Sequence, residues 1–213
     1  MASLRSRPWY QGVLLGGFCL VAAATLAWGQ RLTAPAIAAA ARADLAASLD
    51  QVIPATLRDN DMTADTVTVE GEGGPTPVYR ARKNGAITAV AYRVVGQGYG
   101  GEIELVMGVD RAGEILGVRV VRHAETPGLG DRIDVRKSDW IKAFTGHSRA
   151  NTPDSQWAVK KDGGMFDQFS GATVTPRAVV RAVKQGLALF HANRAQMLGP
   201  DAAAAPREPG RLS

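Results

Sequence analysis

No charged residue stands between Trp9 and Trp28. The run supplies the roughly twenty apolar residues that a bilayer-spanning helix needs. Trp9, Tyr10 and Trp28 sit at its two ends, where interfacial aromatics collect. Helical spacing returns at residues 33–53, an Ala-rich stretch that opens Thr33-Ala34-Pro35, sets Ile37, Leu45, Leu49 and Val52 on one side, and stops at Pro54. Residues 54–77 are polar and rich in Gly and Pro, with room for one strand at 66–69. Strand-like apolar runs follow at 78–83, 87–95, 103–109 and 115–122. Asn84-Gly85 between the first two is a strong hairpin signal, and a Gly-bearing turn at 110–114 joins the last two. Four strands on short turns predict an antiparallel meander with one face buried. After a break at 125–130 come a short helix at 139–145 ended by Gly146, a strand at 156–160, and a long helix to about Met197.

This order gives an α+β protein. One N-terminal transmembrane helix precedes a single domain whose mainly antiparallel sheet is flanked by helices. The chain divides into an N-terminal segment at 1–8, a span at 9–28, a stalk or first helix at 29–60, the domain at 61–198 and a tail at 199–213. That tail is Ala, Pro and Gly with scattered charge, a composition expected to be disordered. Arg5 and Arg7 precede the apolar run, which predicts a cytoplasmic N-terminus and a domain across the membrane; Arg31 on the far side makes the bias modest. A cleaved signal peptide shares the basic start and apolar core. The length of the run, and Trp28 and Gln30 where a small-residue cleavage site would stand, favour an uncleaved anchor.

Charge and cysteine content narrow the chemistry. The formal net charge of +5 on 213 residues comes from Arg and Lys spread along the chain. No basic cluster interleaves with aromatics, so nucleic-acid binding has no support. Cys19 is the single cysteine, which excludes a disulfide framework, a C-x-x-C redox pair and a cysteine metal site. His123, His147 and His191 are too scattered to suggest metal ligation. Nucleotide loops and the G-x-S-x-G elbow are absent.

Three stretches remain. Gly98-Tyr99-Gly100-Gly101 is either a glycine-rich turn or a place where backbone must approach a flat ligand. Glu125-Thr126-Pro127-Gly128-Leu129-Gly130 fixes an irregular backbone after a strand, as a rigid connector or a ligand loop. The third reads Asp167-Gln-Phe-Ser170-Gly171-Ala172-Thr173-Val-Thr175-Pro176. Thr175 stands where an N-cap belongs and Pro176 at the first helical position, where its missing N–H costs nothing. Thr173 therefore lies just before a helix N-terminus, whose unpaired N–H groups favour an anion. Gly171 and Ala172 leave its hydroxyl open to a bulky group.

The string D-x-x-S-G-A-T resembles the attachment motif of the covalent-FMN domain of the RnfG/NqrC family, and G-Y-x-G and E-T-P-G-L-G precede it here in the order found in that family. The resemblance is closer to the RnfG branch. It implies a flavin transferase that esterifies the FMN phosphate to Thr173, with Asp167, Ser170, Gly171 and Ala172 at the other fixed positions. It also implies that Gly98, Tyr99, Gly100, Glu125, Thr126, Gly128, Leu129, Gly130 and Thr175 belong to the cofactor site. The expected protein is an electron-transfer subunit of the bacterial inner membrane with a periplasmic FMN domain. Its partners would be the membrane and peripheral subunits of an Rnf complex, which couples ferredoxin and NAD pools to a cation gradient, besides the lipid bilayer. Two alternatives stand: an NqrC-like or other anchored covalent-flavin carrier, and a non-catalytic anchored binding domain with Thr173 unmodified.

Overall fold

The computed structural model describes residues 8–71 and 73–199. Arg5 and Arg7 of the expected cytoplasmic segment, and residues 200–213 of the expected tail, lie outside the described residues. The chain forms two compact units that divide between Asp44 and Leu45.

The apolar run and the Ala-rich stretch form one helix, α1, Pro8–Val52, with Pro35 inside it. Ala and Leu are strong helix formers, and they carry the helix through the loss of one backbone hydrogen bond at the proline. Among the described residues, this is the one helix long and apolar enough to cross a membrane. Its large apolar side chains from Val13 to Ile37 are bare, with Phe18 and Leu20 more than 70% exposed. Water would penalise that surface, whereas hydrocarbon would not.

The second unit is built on five strands: β1 Thr66–Gly71, β2 Gly74–Lys83, β3 Ala86–Gln97, β4 Glu102–Asp110 and β5 Ile115–Arg122. They lie in the order β1-β2-β3-β4-β5, and each neighbour pair is antiparallel. Asn84 and Gly85 carry φ of 52° and 81°, the conformation a two-residue hairpin needs to match strand twist. The closing helix α2, Val174–Leu198, lies against the sheet, with Val179, Val183, Leu187 and Phe190 buried in the main core. Gly186 lets it approach: a Cβ there would meet Met107 Sδ at 2.3 Å. The Tyr92 hydroxyl donates to Gly186 O at 2.8 Å, and burial pushes its phenol well above the usual tyrosine range.

Two expectations are corrected. The sheet buries both faces, since Leu49, Val52 and Ile53 cover Ala81, Ala89, Ala91 and Val106 on the face away from the main core. Those alanines break the strict alternation that a one-sided sheet would show. Residues 156–160 also form no strand. A 3-10 turn at Asp154–Gln156 and another at Lys160–Asp162 flank an isolated bridge from Val159 to Phe166. Gly164 packs so closely on Ala158 that the chain folds back at once. The short helix is a 3-10 helix, Asp139–Phe144, capped by Ser138 through the Trp140 N–H at 3.2 Å.

Candidate functional site

The three stretches singled out in the sequence converge at the start of α2. The carboxylate of Glu125 joins them. Its Oε1 accepts the Gly100 N–H at 2.9 Å, and its Oε2 accepts the Thr175 hydroxyl. Glu125 is only 5% exposed and Thr175 is fully buried. The surrounding glycines are fitted to this carboxylate. A Cβ on Gly98 would stand 2.2 Å from Glu125 Oε1, and one on Gly130 would stand 2.8 Å from Oε2. A Cβ on Gly100 would strike Ala124 O at 2.0 Å. Close approach at these three positions is thus required by the protein's own atoms.

Thr175 is not the N-cap. The helix begins at Val174, so Thr173 holds the cap position, and Thr175 and Pro176 lie inside the first turn. Pro176 remains harmless there, because the first-turn N–H groups have no intrahelical acceptor. The Thr175 side chain turns inward because a buried carboxylate is its partner, a contact fifty residues away in sequence. Thr173 is half-buried, and its side chain makes no cap hydrogen bond. The N–H groups of Thr173, Val174 and Thr175 donate to no backbone carbonyl.

The loop before Thr173 is held from behind. Trp140 Nε1 donates to Asp167 O at 2.8 Å, and its ring meets Phe169 edge-on at 5.2 Å. Arg132 covers the Phe169 ring at 5.3 Å, and Lys160 pairs with the Asp167 carboxylate at 2.6 Å. Ala172 N–H closes a turn onto Phe169 O at 3.2 Å. Phe169 is buried behind the tip, while Ser170 and Gly171 are exposed on it. Just beyond, Arg177 forks onto Asp162 at 2.5 Å, which holds that carboxyl below its ordinary range. Sequence reasoning did not find Arg132 or Trp140, since a Trp and an Arg in segments remote from the Asp167–Pro176 stretch carry no local signal.

The loop at 125–130 meets this tip from the other side. Gly130 and Leu129 N–H groups turn back onto Thr126 O, and Gly128 N–H donates to Asp131 Oδ1 at 2.8 Å. Leu129 reaches the Gly171 tip, so that a Cβ on Gly171 would contact its Cδ2 at 3.7 Å. Thr126, Tyr99, Leu129 and Val174 are all exposed. Gly128 faces open space at a φ of 78°, so a branched residue there is strained by the backbone alone.

These groups fit a flavin phosphate. A hydroxyl with no cap bond, three undirected N–H groups at the positive end of a helix, and a glycine tip without Cβ suit an anion carrying a large flat group. A cleft of about 510 Å³ lies elsewhere, between α2 and β1–β3, and is lined by Glu70, Arg93, Gln185 and Asn193 among others. None of the converging loops contributes to it.

Residues 98–188 match the FMN-binding domain family, and residues 8–52 match the RnfG N-terminal region. The chain is 50% identical to the G-type subunit of the ion-translocating oxidoreductase complex of Cereibacter sphaeroides, over 92% of this chain and 90% of that protein. It is 52% identical to the subunit of the same name from Stutzerimonas stutzeri, over 86% and 81%. A more distant likeness, at a TM-score of 0.46 and 23% identity, runs to the crystal structure of NqrC from Shewanella oneidensis, over 72% of this chain and 75% of that one.

Proposed function

The chain belongs to the RnfG family, the G-type subunits of ion-translocating oxidoreductase complexes, and from that premise we propose that it carries FMN as a phosphoester on Thr173 and passes electrons between other subunits of an Rnf-type complex. The observation that carries this reading is the uncapped Thr173 hydroxyl at the start of α2, beside the Gly171 tip and Leu129. The flavin, when attached, supplies one- and two-electron redox chemistry, and the chain supplies attachment, orientation and surroundings.

The residues divide the work by their positions. Thr173 Oγ would take the FMN phosphoryl group from a flavin pyrophosphate held by a flavin transferase, with the nucleotide monophosphate as leaving group and the hydroxyl proton released. The chain would therefore gain FMN less one water. The N–H groups of Val174 and Thr175 would be available to the ester's remaining charge. Tyr99, Leu129 and Val174 offer exposed apolar contact, and Thr126 offers a hydroxyl.

An open site of this kind buries little of its ligand, whereas tight noncovalent sites bury most of it. A covalent bond removes dissociation, which matters where lost FMN is not readily replaced. We place the domain in the periplasm of a bacterial inner membrane, with ferredoxin and NAD as the pools the assembled complex connects to a cation gradient. The membrane and peripheral subunits, rather than this domain, would meet those carriers.

The direct test is an absorbance spectrum of denatured protein purified from its native host, where a flavin band survives only if the cofactor is covalent. Two predictions accompany it. Protease added to intact spheroplasts should digest the domain, because Arg5 and Arg7 precede the apolar run; digestion confined to inverted vesicles would reverse the topology. Tyr99→Ala should change stability by no more than about half a kcal/mol, since the side chain is 78% exposed. The same variant should shift the flavin absorbance envelope. An unchanged spectrum would remove Tyr99 from the site.

A further inference from the structure

We infer that Glu125 and Thr175 are positioning residues which hold the attachment threonine in register with the Gly98–Gly101 turn, and that this linkage governs how fast FMN is placed on Thr173. The inference rests on the reading of Thr173 as the attachment site and assigns no direct ligand contact to either residue.

The geometry is specific. Glu125 spends both carboxylate oxygens on the protein, one on Gly100 N–H at 2.9 Å and the other on the Thr175 hydroxyl. Thr175 sits two residues beyond Thr173 in the rigid first turn of α2, so fixing its side chain fixes the azimuth of that turn. Glu125 and its two partners come from three separate segments, the partners lying twenty-five and fifty residues from Glu125 along the chain. Gly98 and Gly130 close on the carboxylate from two sides and leave no space for a side chain. Glu125 N–H donates to His123 Nδ1 at 3.2 Å, which holds the backbone from which the carboxylate hangs. A buried acceptor with two committed donors has little freedom, because losing either donor leaves a desolvated oxygen unsatisfied.

A group-transfer reaction is sensitive to such placement. Misplacing a nucleophile by about 1 Å can cost on the order of a hundredfold in rate. The Thr173 side chain is half-buried and has no cap bond of its own, so its position depends on the turn behind it. That turn is anchored by Thr175.

The test uses the full chain in detergent, with a flavin transferase and its flavin pyrophosphate donor, and follows FMN addition by intact mass. Thr175→Val keeps the shape and removes the hydroxyl. It should slow labelling by on the order of tenfold or more, and Glu125→Ala should do the same. Thr175→Ser restores the donor and should recover most of the rate. Gly98→Ala, whose methyl would stand 2.2 Å from Glu125 Oε1, should also slow labelling although residue 98 is remote in sequence from the attachment loop. Amide hydrogen exchange on the unlabelled chain gives a readout independent of flavin. In Thr175→Val, exchange at residues 98–101 should quicken, because Glu125 connects them to residue 175. Circular dichroism melts confirm that each variant is folded.

Equal slowing in Thr175→Val and Thr175→Ser would overturn the inference, as would wild-type labelling in Thr175→Val or unchanged exchange at residues 98–101. If the wild-type chain itself gains no FMN, the attachment reading fails and takes the labelling half of the inference with it. The exchange result then decides whether the linkage exists.

Discussion

Thr173→Ala should abolish covalent flavin while leaving the domain folded. The substitution removes the one oxygen through which the proposed ester can form, so the expected loss is complete rather than graded. Folding should survive because the Thr173 side chain is only half-buried and makes no cap hydrogen bond. A cap threonine that did bond its helix would cost about 1 kcal/mol on replacement; here that cost is absent. The helix dipole and free N–H groups would contribute up to roughly 2 kcal/mol to holding a phosphate. That is far too little to retain a flavin through denaturation, so any residual noncovalent FMN should wash away. A peptide covering residues 167–177 should carry the added mass of FMN less one water in the wild type and none in Thr173→Ala. Flavin that follows Ser170 or Thr175 would relocate the attachment. Flavin on none of them would leave the anchored, non-catalytic alternative.

How much of this was legible in the sequence depended on the range of the interaction involved. Local chemistry read well: Asn84-Gly85 closes the hairpin it predicts, and β5 spans Ile115–Arg122 as its apolar pattern requires. The convergence of the three glycine-bearing loops was visible only through the family resemblance. What ties them together was not, because Glu125 meets Gly100 and Thr175 through contacts that no local window contains. Thr175 shows the consequence. A threonine before Pro176 at a helix start has the composition of a cap, yet a buried carboxylate nearby captures its hydroxyl and moves the cap position back to Thr173. The glycines mislead in a related way. Close approach at Gly98 and Gly130 can be expected for a flat ligand, but the atoms that crowd them include those of Glu125 and Thr175. The stretch at 156–160 failed for another reason. Its apolar residues Trp157 and Val159 are buried as a strand's would be, but Gly163 and Gly164 turn the chain before a ladder can form.

The sheet face opposite α2 explains why Ala and Gly recur in β2–β5. Ala81, Ala89 and Ala91 lie under the last turns of α1, and Gly108 pairs with Gly117 across β4 and β5 to form a flat seat beneath Val52. This seat joins the end of α1 to the sheet without a flexible linker, so the helix terminus and the sheet are one packed piece from Leu45 onward.

Gly108→Val should therefore be among the most destabilising single changes in the chain. A Cβ at this position would stand 2.4 Å from Val52 O and 3.0 Å from Ile53 Cγ1. The first of these is backbone, which cannot rotate away as a side chain can. Either β4 must bend or the end of α1 must lift, and lifting it would uncover Leu49, Val52 and Ile53, all at most 1% exposed. Overpacking of a core typically costs about 1–3 kcal/mol. Exposing apolar side chains would add to that, at roughly 25 cal/mol per Å². For a domain of this size each kcal/mol lowers the melting temperature by about 2–4 °C. Gly73→Ala is the comparison, because a Cβ there has nothing within 4 Å and the backbone is not left-handed. It should melt with the wild type. If α1 lifts rather than β4 bending, limited proteolysis should open a new cut between residues 53 and 65 in Gly108→Val. A variant that melts within about a degree of the wild type, with no new cut, would show that the end of α1 does not rest on this seat.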